Sequence, residues 1–421
     1  MKTDLLVARQ LSRRLPAAGE RRRLVVITGA RQTGKTTLAR EVYAALRYLN
    51  LDAIELRALM REVRTSRWGE EIGAAVLDEA QKEPGIFDKV KYAFDEGTLD
   101  FTVLLGSSRI LLLDQVRESL AGRAIVYDLW PLTASELASV GRETVSPPLL
   151  DTLLGDLRGA RRALAGLPTI ALDGQDEAGR SAIDHLASWG GMPALLPLDD
   201  GERREWLAAY QQTFLERDLA DLATLADLLP FRNLQRLAML RTGCLVNYAD
   251  LARDAGLAPT TARRYLEYLR MTYQAVLLPP YLGNLTSRVV KAPKLFWTDL
   301  GMLRHATRQW GPIDGNLFET LVVAEVVKWV STAALPVDLS FYRTRSGFEV
   351  DLLVEGHGVV FGFEIKRRDR IDAHDPGPLR RLAGSLGERW AGGAIVYTGD
   401  RLECLDETAG IWAVPVHRLL S

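Results

Sequence analysis

Eight residues from Gly29 to Thr36, Gly-Ala-Arg-Gln-Thr-Gly-Lys-Thr, have the types and order to hold a triphosphate. Glycines let backbone N–H groups converge on phosphate oxygens, and a helix starting after them turns its positive end toward the anion. In this reading Gly29, Ala30, Arg31, Gln32, Thr33, Gly34, Lys35, Thr36 and Thr37 bind ATP. Lys35 reaches the β and γ phosphates, and Thr36 gives its hydroxyl to Mg²⁺. The pattern is G-x-x-x-x-G-K-[ST], which gains its force from a strand before it and a helix after it. Only nine of the 53 cationic residues are lysine, which adds weight to a lysine found inside such a motif.

Asp78 and Glu79 close an apolar run, Ala75-Val76-Leu77, 43 positions beyond Lys35. Asp78 is placed to hold Mg²⁺ through water, and Glu79 to orient and deprotonate the attacking water. A third apolar run ends in Gly106-Ser107-Ser108-Arg109, where Ser107, or else Ser108, is the candidate to sense the γ-phosphate. Arg123 could reach a neighbouring subunit's nucleotide and stabilise transition-state charge in trans. A solvated or intrachain-paired arginine is the competing role.

A second set of residues points to metal chemistry. Asp351 precedes Glu364-Ile365-Lys366, and Glu364 and Lys366, two apart on a strand, share a face. A hairpin through Gly356-His357-Gly358 would set Asp351 beside Glu364. The two carboxylates, with Glu319 as a third, could then hold a divalent cation that binds a scissile phosphate, with Lys366 positioning water. Tyr397 is placed to line the same cleft. A third set is basic: eight cations stand against Glu267 and Asp299 between positions 255 and 310, a net +6 in a chain of formal charge −1. Thr261, Arg263, Arg264, Arg270, Arg288, Lys291 and Lys294 are the candidate contacts to DNA phosphates. Oligomer packing is the competing role for that segment.

The elements that must position these groups are readable in outline. Apolar runs at 24–28, 74–77, 101–105 and 125–129, separated by helical spacing (36–49 for the first helix), describe an α/β domain with a mainly parallel sheet. Residues 141–150 are a breaker cluster, and 151–230 reads helical, broken at Gly190-Gly191-Met192-Pro193. Helices at 247–254 and 259–270, then strands at 277–281 and 287–291, suggest a winged helix. Beyond 312 one helix, 317–329, leads into a meander of strands at 341–343, 348–354 and 359–366, and a later strand spans 394–397. The expected division is 1–140 (P-loop ATPase), 141–230 (helical lid or linker), 231–311 (winged helix) and 312–421 (nuclease-like).

The motifs together resemble the prokaryotic AAA-type ATPases of the AAA+ class that carry a C-terminal DUF4143 region. The resemblance rests on the P-loop, Leu77-Asp78-Glu79-Ala80-Gln81-Lys82, Leu105-Gly106-Ser107-Ser108-Arg109 and Glu118-Ser119-Leu120-Ala121-Gly122-Arg123. Leu129-Trp130-Pro131-Leu132-Thr133 with Glu136, the Gly190 motif and Glu216-Arg217-Asp218 extend it along the chain. Asp351, Glu364 and Lys366 resemble the D…E-x-K core of the PD-(D/E)xK nuclease superfamily, with Glu319 on its leading helix. These resemblances imply a P-loop AAA+ ATPase core with helical lid, a winged helix, and a C-terminal PD-(D/E)xK-like α/β domain. They also imply ATP and Mg²⁺ as ligands and a homo-oligomeric ring, expected to be a hexamer.

With 47 % apolar and 25 % charged residues, the 421-residue composition excludes a disordered or disulfide-built chain. No uncharged apolar run approaches the roughly 20 residues of a membrane span, the first residues lack a signal-peptide core, and two isolated cysteines fit a reducing compartment. A cytoplasmic location is expected, without a membrane partner. The expected function is a Mg²⁺-dependent, ring-forming ATPase that remodels or translocates along duplex or branched DNA. The alternatives are a nucleotide-dependent switch that binds proteins, in a defence or toxin-linked system, and a metal-dependent DNA nuclease licensed by ATP.

Overall fold

A computed structural model of the chain describes residues 7–19, 22–106, 109–170, 174–217, 228–281, 292–344 and 347–421. Two α/β units flank a helical middle. In the first, β1 (Arg23–Thr28), β2 (Arg47–Asn50), β3 (Ala75–Asp78), β4 (Phe101–Gly106) and β5 (Ala124–Asp128) form a parallel sheet in the order β2-β3-β4-β1-β5. Alternation along β1 sends Leu24 and Val26 into one apolar core and Val25 and Ile27 into another. All four are fully buried, as a strand covered by helices on both faces requires. The first helix stops at Val42, short of the expected 49, and β2 takes up Arg47–Asn50 instead. Only Leu49 is fully buried in that edge strand, so its apolar signal is too short to separate from the preceding helix.

The middle is built from helices at Leu149–Gly155, Ala160–Ala165, Gly174–Trp189 and Asp200–Arg217. Next come a helix at Leu228–Leu240, β6 (Cys244–Leu245), helices Tyr248–Ala255 and Pro259–Met271, β7 (Ala275–Leu278) and β8 (Lys294–Trp297). Asn247 caps the helix Tyr248–Ala255 by accepting from the N–H groups of Ala249 and Asp250, and Gly256 ends it at φ 69°. The expected second strand at 287–291 lies outside the described residues, and the strand that pairs with β7 is β8. Leu295, Phe296 and Trp297 are almost wholly buried there, and that burial sets the pairing.

The last unit is a mixed sheet of β9 (Asp338–Arg343), β10 (Glu349–Gly356), β11 (Val359–Lys366), β12 (Trp390–Tyr397), β13 (Glu403–Asp406) and β14 (Ile411–Pro415). Its order is β13-β14-β12-β11-β10-β9. Strands β9 to β11 run as the antiparallel meander expected, whereas β12 and β14 are added in parallel. Helix Gly315–Ala333 covers one face and Gly377–Leu386 the other. One apolar core runs from Leu132 through the middle helices and β8 into this sheet. The middle and last units are therefore fastened together by burial.

Candidate active site

The loop after β1 is shaped by close backbone approach. A Cβ at Gly29 would meet the Leu129 carbonyl oxygen at 2.2 Å, so only glycine lets the loop pass the end of β5. Gln32 and Gly34 take φ of 59° and 93°, turning successive N–H groups to one side before the helix Lys35–Val42 begins. The Lys35 ammonium lies over the loop, donating to the carbonyls of Gly29 (3.0 Å) and Ala30 (2.8 Å). Thr33 is tied to Ala30 O, and Thr37 is exposed on the first helical turn.

At the end of β3, across from the loop, Asp78 is almost fully buried. One of its oxygens accepts from the Thr36 hydroxyl and from the Tyr48 phenol, each at 2.6 Å. A hydroxyl and a carboxylate in contact beside a phosphate loop are the donor set a hard divalent ion takes, so Thr36 and Asp78 fit Mg²⁺. Bound there, the ion would neutralise phosphate charge. Tyr48 was invisible to motif reading; burial, then its bond to Asp78, pushes its phenol pKa well up. Glu79 sits next to Asp78 at φ 53°, and its carboxylate accepts from the Gln81 amide. That amide also lies where a Cβ at Gly106 would stand, 2.5 Å away, so Gln81 joins the Glu79 side chain to the tip of β4. Ser107 and Ser108, the candidate sensors, lie outside the described residues.

A buried arginine missed by the sequence reading braces the loop. Arg9 donates to Thr33 O (2.6 Å), Trp130 O (2.6 Å) and Glu136 Oε1 (3.0 Å). Glu136 in turn closes a capping box with Thr133. The nearby Gly190-Gly191 pair admits equally close packing. Leu132 N donates to Gly191 O, and Asp299 accepts from Gly191 N, both at 2.7 Å. Helix Gly315–Ala333 reaches the same segment: Glu325 accepts from Ala134 N at 2.7 Å and is paired with Lys328. Tyr273 donates to Asp128 at the end of β5, 2.6 Å away. These contacts join the segment after β5, which packs against the loop at Gly29, to the middle and last units.

Arg123 stands apart from this site. It precedes β5, at the end of the sheet opposite the loop, and β1 spans six residues, roughly 20 Å. It grips Asp95 of the same chain through two bonds, 2.6 and 2.9 Å. It therefore cannot touch its own chain's phosphates, and a role toward a neighbour would require leaving Asp95.

In the last unit the structure brings the expected carboxylates close together. Pairing of Leu352 with Phe363 sets Asp351 next to Glu364 as expected, and Asp351 accepts from Ile365 N at 2.8 Å. Lys366 pairs with Glu364 at 2.6 Å. Burial and then the charge of Asp351 raise the pKa of Glu319 to about 7 and of Glu364 to about 8. Glu319 is held by Lys294 at 2.9 Å, and Lys294 also pairs with Glu349. Among the described residues no three acidic, histidine or cysteine side chains converge as a metal ion needs. Glu319 thus pairs with Lys294, Glu364 with Lys366, and Asp351 with a backbone N–H, while Glu319, Asp351 and Lys366 line one cavity and the second Glu364 oxygen is buried without a hydrogen-bond partner. The expectation for Tyr397 is corrected, because its hydroxyl turns to Arg401, donating to the carbonyl (2.6 Å) and accepting from the N–H (2.9 Å).

The basic segment divides. Arg263, Arg264 and Arg270 are exposed and Thr261 half-buried on one face of Pro259–Met271, whose Ala262, Leu266 and Leu269 are buried as expected. Arg270 pairs with Glu267 at 2.7 Å, and Arg263 lies over the Tyr248 ring. Lys294, expected to meet DNA, is buried inside the protein and bound to two carboxylates. Arg304, one of the eight cations, is likewise buried and donates to the carbonyls of Gln309 and Ala187. Arg288 and Lys291 lie outside the described residues. The surface asymmetry is therefore smaller than the sequence count.

Residues 21–138 match a family model described as an AAA domain, and 314–419 match the domain of unknown function DUF4143. Between them, 180–311 match another domain of unknown function, DUF8612. The chain is similar to AAA-type ATPases with a DUF4143 region. It is 29 % identical to an uncharacterized protein of Mycobacterium bovis and to one of Mycobacterium tuberculosis, over 99 % of this chain and 85 % of each relative. Among solved structures, the Walker-type ATPase of Pyrococcus abyssi has a TM-score of 0.44 at 17 % identity, covering 73 % of this chain and 99 % of its own. The Aeropyrum pernix ORC2 protein has a TM-score of 0.34 at 16 % identity, covering 77 % and 92 %. Among the described residues no helix is long and apolar enough to cross a membrane.

Proposed function

We propose that the chain hydrolyses ATP with Mg²⁺ and uses the cycle to remodel or translocate along duplex or branched DNA, as a homo-oligomeric ring in the cytoplasm. The observation that carries the hydrolase reading is the Thr36–Asp78 contact at 2.6 Å beneath the phosphate loop, with Glu79 beside it. In the mechanism, loop amides and Lys35 bind the phosphates, Thr36 and Asp78 would hold the ion, and Glu79 takes the proton from the attacking water. The ring and a trans role for Arg123 belong to the same reading: Arg123 lies at the far end of the sheet from its own loop, so a nucleotide it met would be a neighbour's, and it would have to leave Asp95 to do so.

The helix–strand–helix–helix order closed by the antiparallel β7–β8 pair supports the winged-helix reading. The exposed Arg263 and Arg264 support its contact with DNA phosphates. The burial of Lys294 and Arg304 favours a second reading, a nucleotide-dependent switch that binds proteins. ATPase rate measured with and without single-stranded, duplex and four-way-junction DNA separates the two. Stimulation that falls with salt and with Arg263→Glu/Arg264→Glu supports the first. A rate indifferent to every DNA supports the second. Lys35→Ala should abolish nucleotide binding, and retained hydrolysis in that variant would refute the hydrolase reading itself.

A further inference from the structure

The fold that the D…E-x-K pattern implies carries a divalent cation, and here a lysine from the middle sheet already holds Glu319, one of the expected ligands. Glu319 and Glu349 converge on the Lys294 ammonium, whose side chain is 4 % exposed. Arg343 takes the other oxygen of Glu349 at 3.2 Å, and Lys366 takes Glu364. Glu319, Glu349 and Glu364 thus meet three side-chain cations of the same chain, and Asp351 accepts from the Ile365 N–H. A buried carboxylate that stays charged needs its counter-charge close by, and Lys294 supplies that charge to Glu319 and Glu349 from outside the domain.

Its delivery is built into the fold. Lys294 opens β8, which pairs with β6 and β7. Tyr281 N donates to Phe341 O at 2.6 Å and Phe341 N to Pro279 O at 3.0 Å, which extends the strand end onto β9. Thr242 and Thr320 share a hydrogen bond of 2.8 Å, so the middle sheet is also fixed to the helix that carries Glu319. With the sheet held at both places, Lys294 has one direction to point.

We propose that Lys294 is a built-in cation that takes the place of a metal ion. The carboxylate cluster then serves to dock the β7–β8 sheet on the C-terminal domain, and it neither binds a divalent ion nor cuts nucleic acid while Lys294 is in place. A divalent ion and Lys294 are alternatives for the Glu319 carboxylate.

The test is Mn²⁺ binding to the full chain without nucleotide, read by electron paramagnetic resonance, for the wild type, Asp351→Asn, Lys294→Gln and Lys294→Gln/Asp351→Asn. The expected result is no site lost on Asp351→Asn in the wild type. One Mn²⁺ should be gained on Lys294→Gln and lost again in the double variant. Wild-type Mn²⁺ binding that Asp351→Asn removes would overturn the proposal, as would a folded Lys294→Gln that gains no site. Should Lys294→Gln not fold, the melting temperature of Lys294→Met/Glu319→Gln decides. Recovery above Lys294→Met alone supports direct pairing, and additive loss overturns it.

Discussion

Two regions of this molecule place lysine beside carboxylates at strand ends, and they are held differently. At the phosphate loop, Lys35 donates to backbone carbonyls of its own loop, and Asp78 is held by the neutral hydroxyls of Thr36 and Tyr48. In the C-terminal sheet, Lys294 and Lys366 are paired with carboxylates directly. A carbonyl–ammonium contact can be exchanged for a phosphate contact at small cost, whereas pulling one partner out of a buried ion pair leaves an uncompensated charge. Residue types alone suggest two catalytic sites. The partners of the lysines differ: backbone carbonyls at the phosphate loop, carboxylates in the C-terminal sheet.

The largest effect is expected for Glu79→Gln. If Glu79 is the base, turnover should fall by about 10²- to 10⁴-fold with nucleotide affinity kept, as read by steady-state hydrolysis and equilibrium binding. Normal turnover would remove the chemistry from the first region. Next is Arg9→Ala, which strips a buried carboxylate of its partner and unbraces the loop. The expected loss is ~3–5 kcal/mol in denaturant unfolding, with weaker nucleotide binding. A change near zero would mean that the loop holds its shape unaided.

The Glu364 carboxyl is pushed up to about 8 and that of Glu319 to about 7. Between the ordinary glutamate range near 4.5 and those values, the folded chain keeps protons that the unfolded chain has released. Stability from this region is thus full below about pH 4.5 and falls as pH rises toward 8. Burial opposes the charge of Lys294 and of Lys366, but their carboxylate partners outweigh it and keep both charged throughout. Glu364→Gln should flatten the fall in melting temperature across that window. An unchanged slope would show that the cluster is not the titrating element. The smallest effect is expected for Asp95→Ala. It should leave the isolated chain's nucleotide affinity unaltered, because Arg123 lies at the wrong end of the sheet, and should change hydrolysis only at concentrations where the chain assembles.

Much of the first region is legible in the sequence because its elements are locally specified. The four apolar runs are long enough to appear as strands, and the G-x-x-x-x-G-K-T spacing fixes a loop whose partner is its own backbone. Tyr48 escaped notice because Arg-Tyr-Leu-Asn carries too few apolar residues to mark an edge strand. Arg9 looked like any other residue in an arginine-rich stretch, although Glu136, its partner, already stood out. The last unit was legible as a helix and strands, and Asp351 beside Glu364 followed from pairing across a short turn. Lys294 could not be read correctly, since Ala-Pro-Lys-Leu-Phe-Trp says nothing of Glu319 and Glu349 meeting it from another unit.

The sequence by itself determined the phosphate loop, the acidic end of β3 and the alternation of helix and strand, because each depends on spacing within one element. Tertiary structure alone decided which groups each buried charge meets. That depends on what distant strands bring within about 3 Å of an oxygen, and on burial, which makes such a pairing hard to undo.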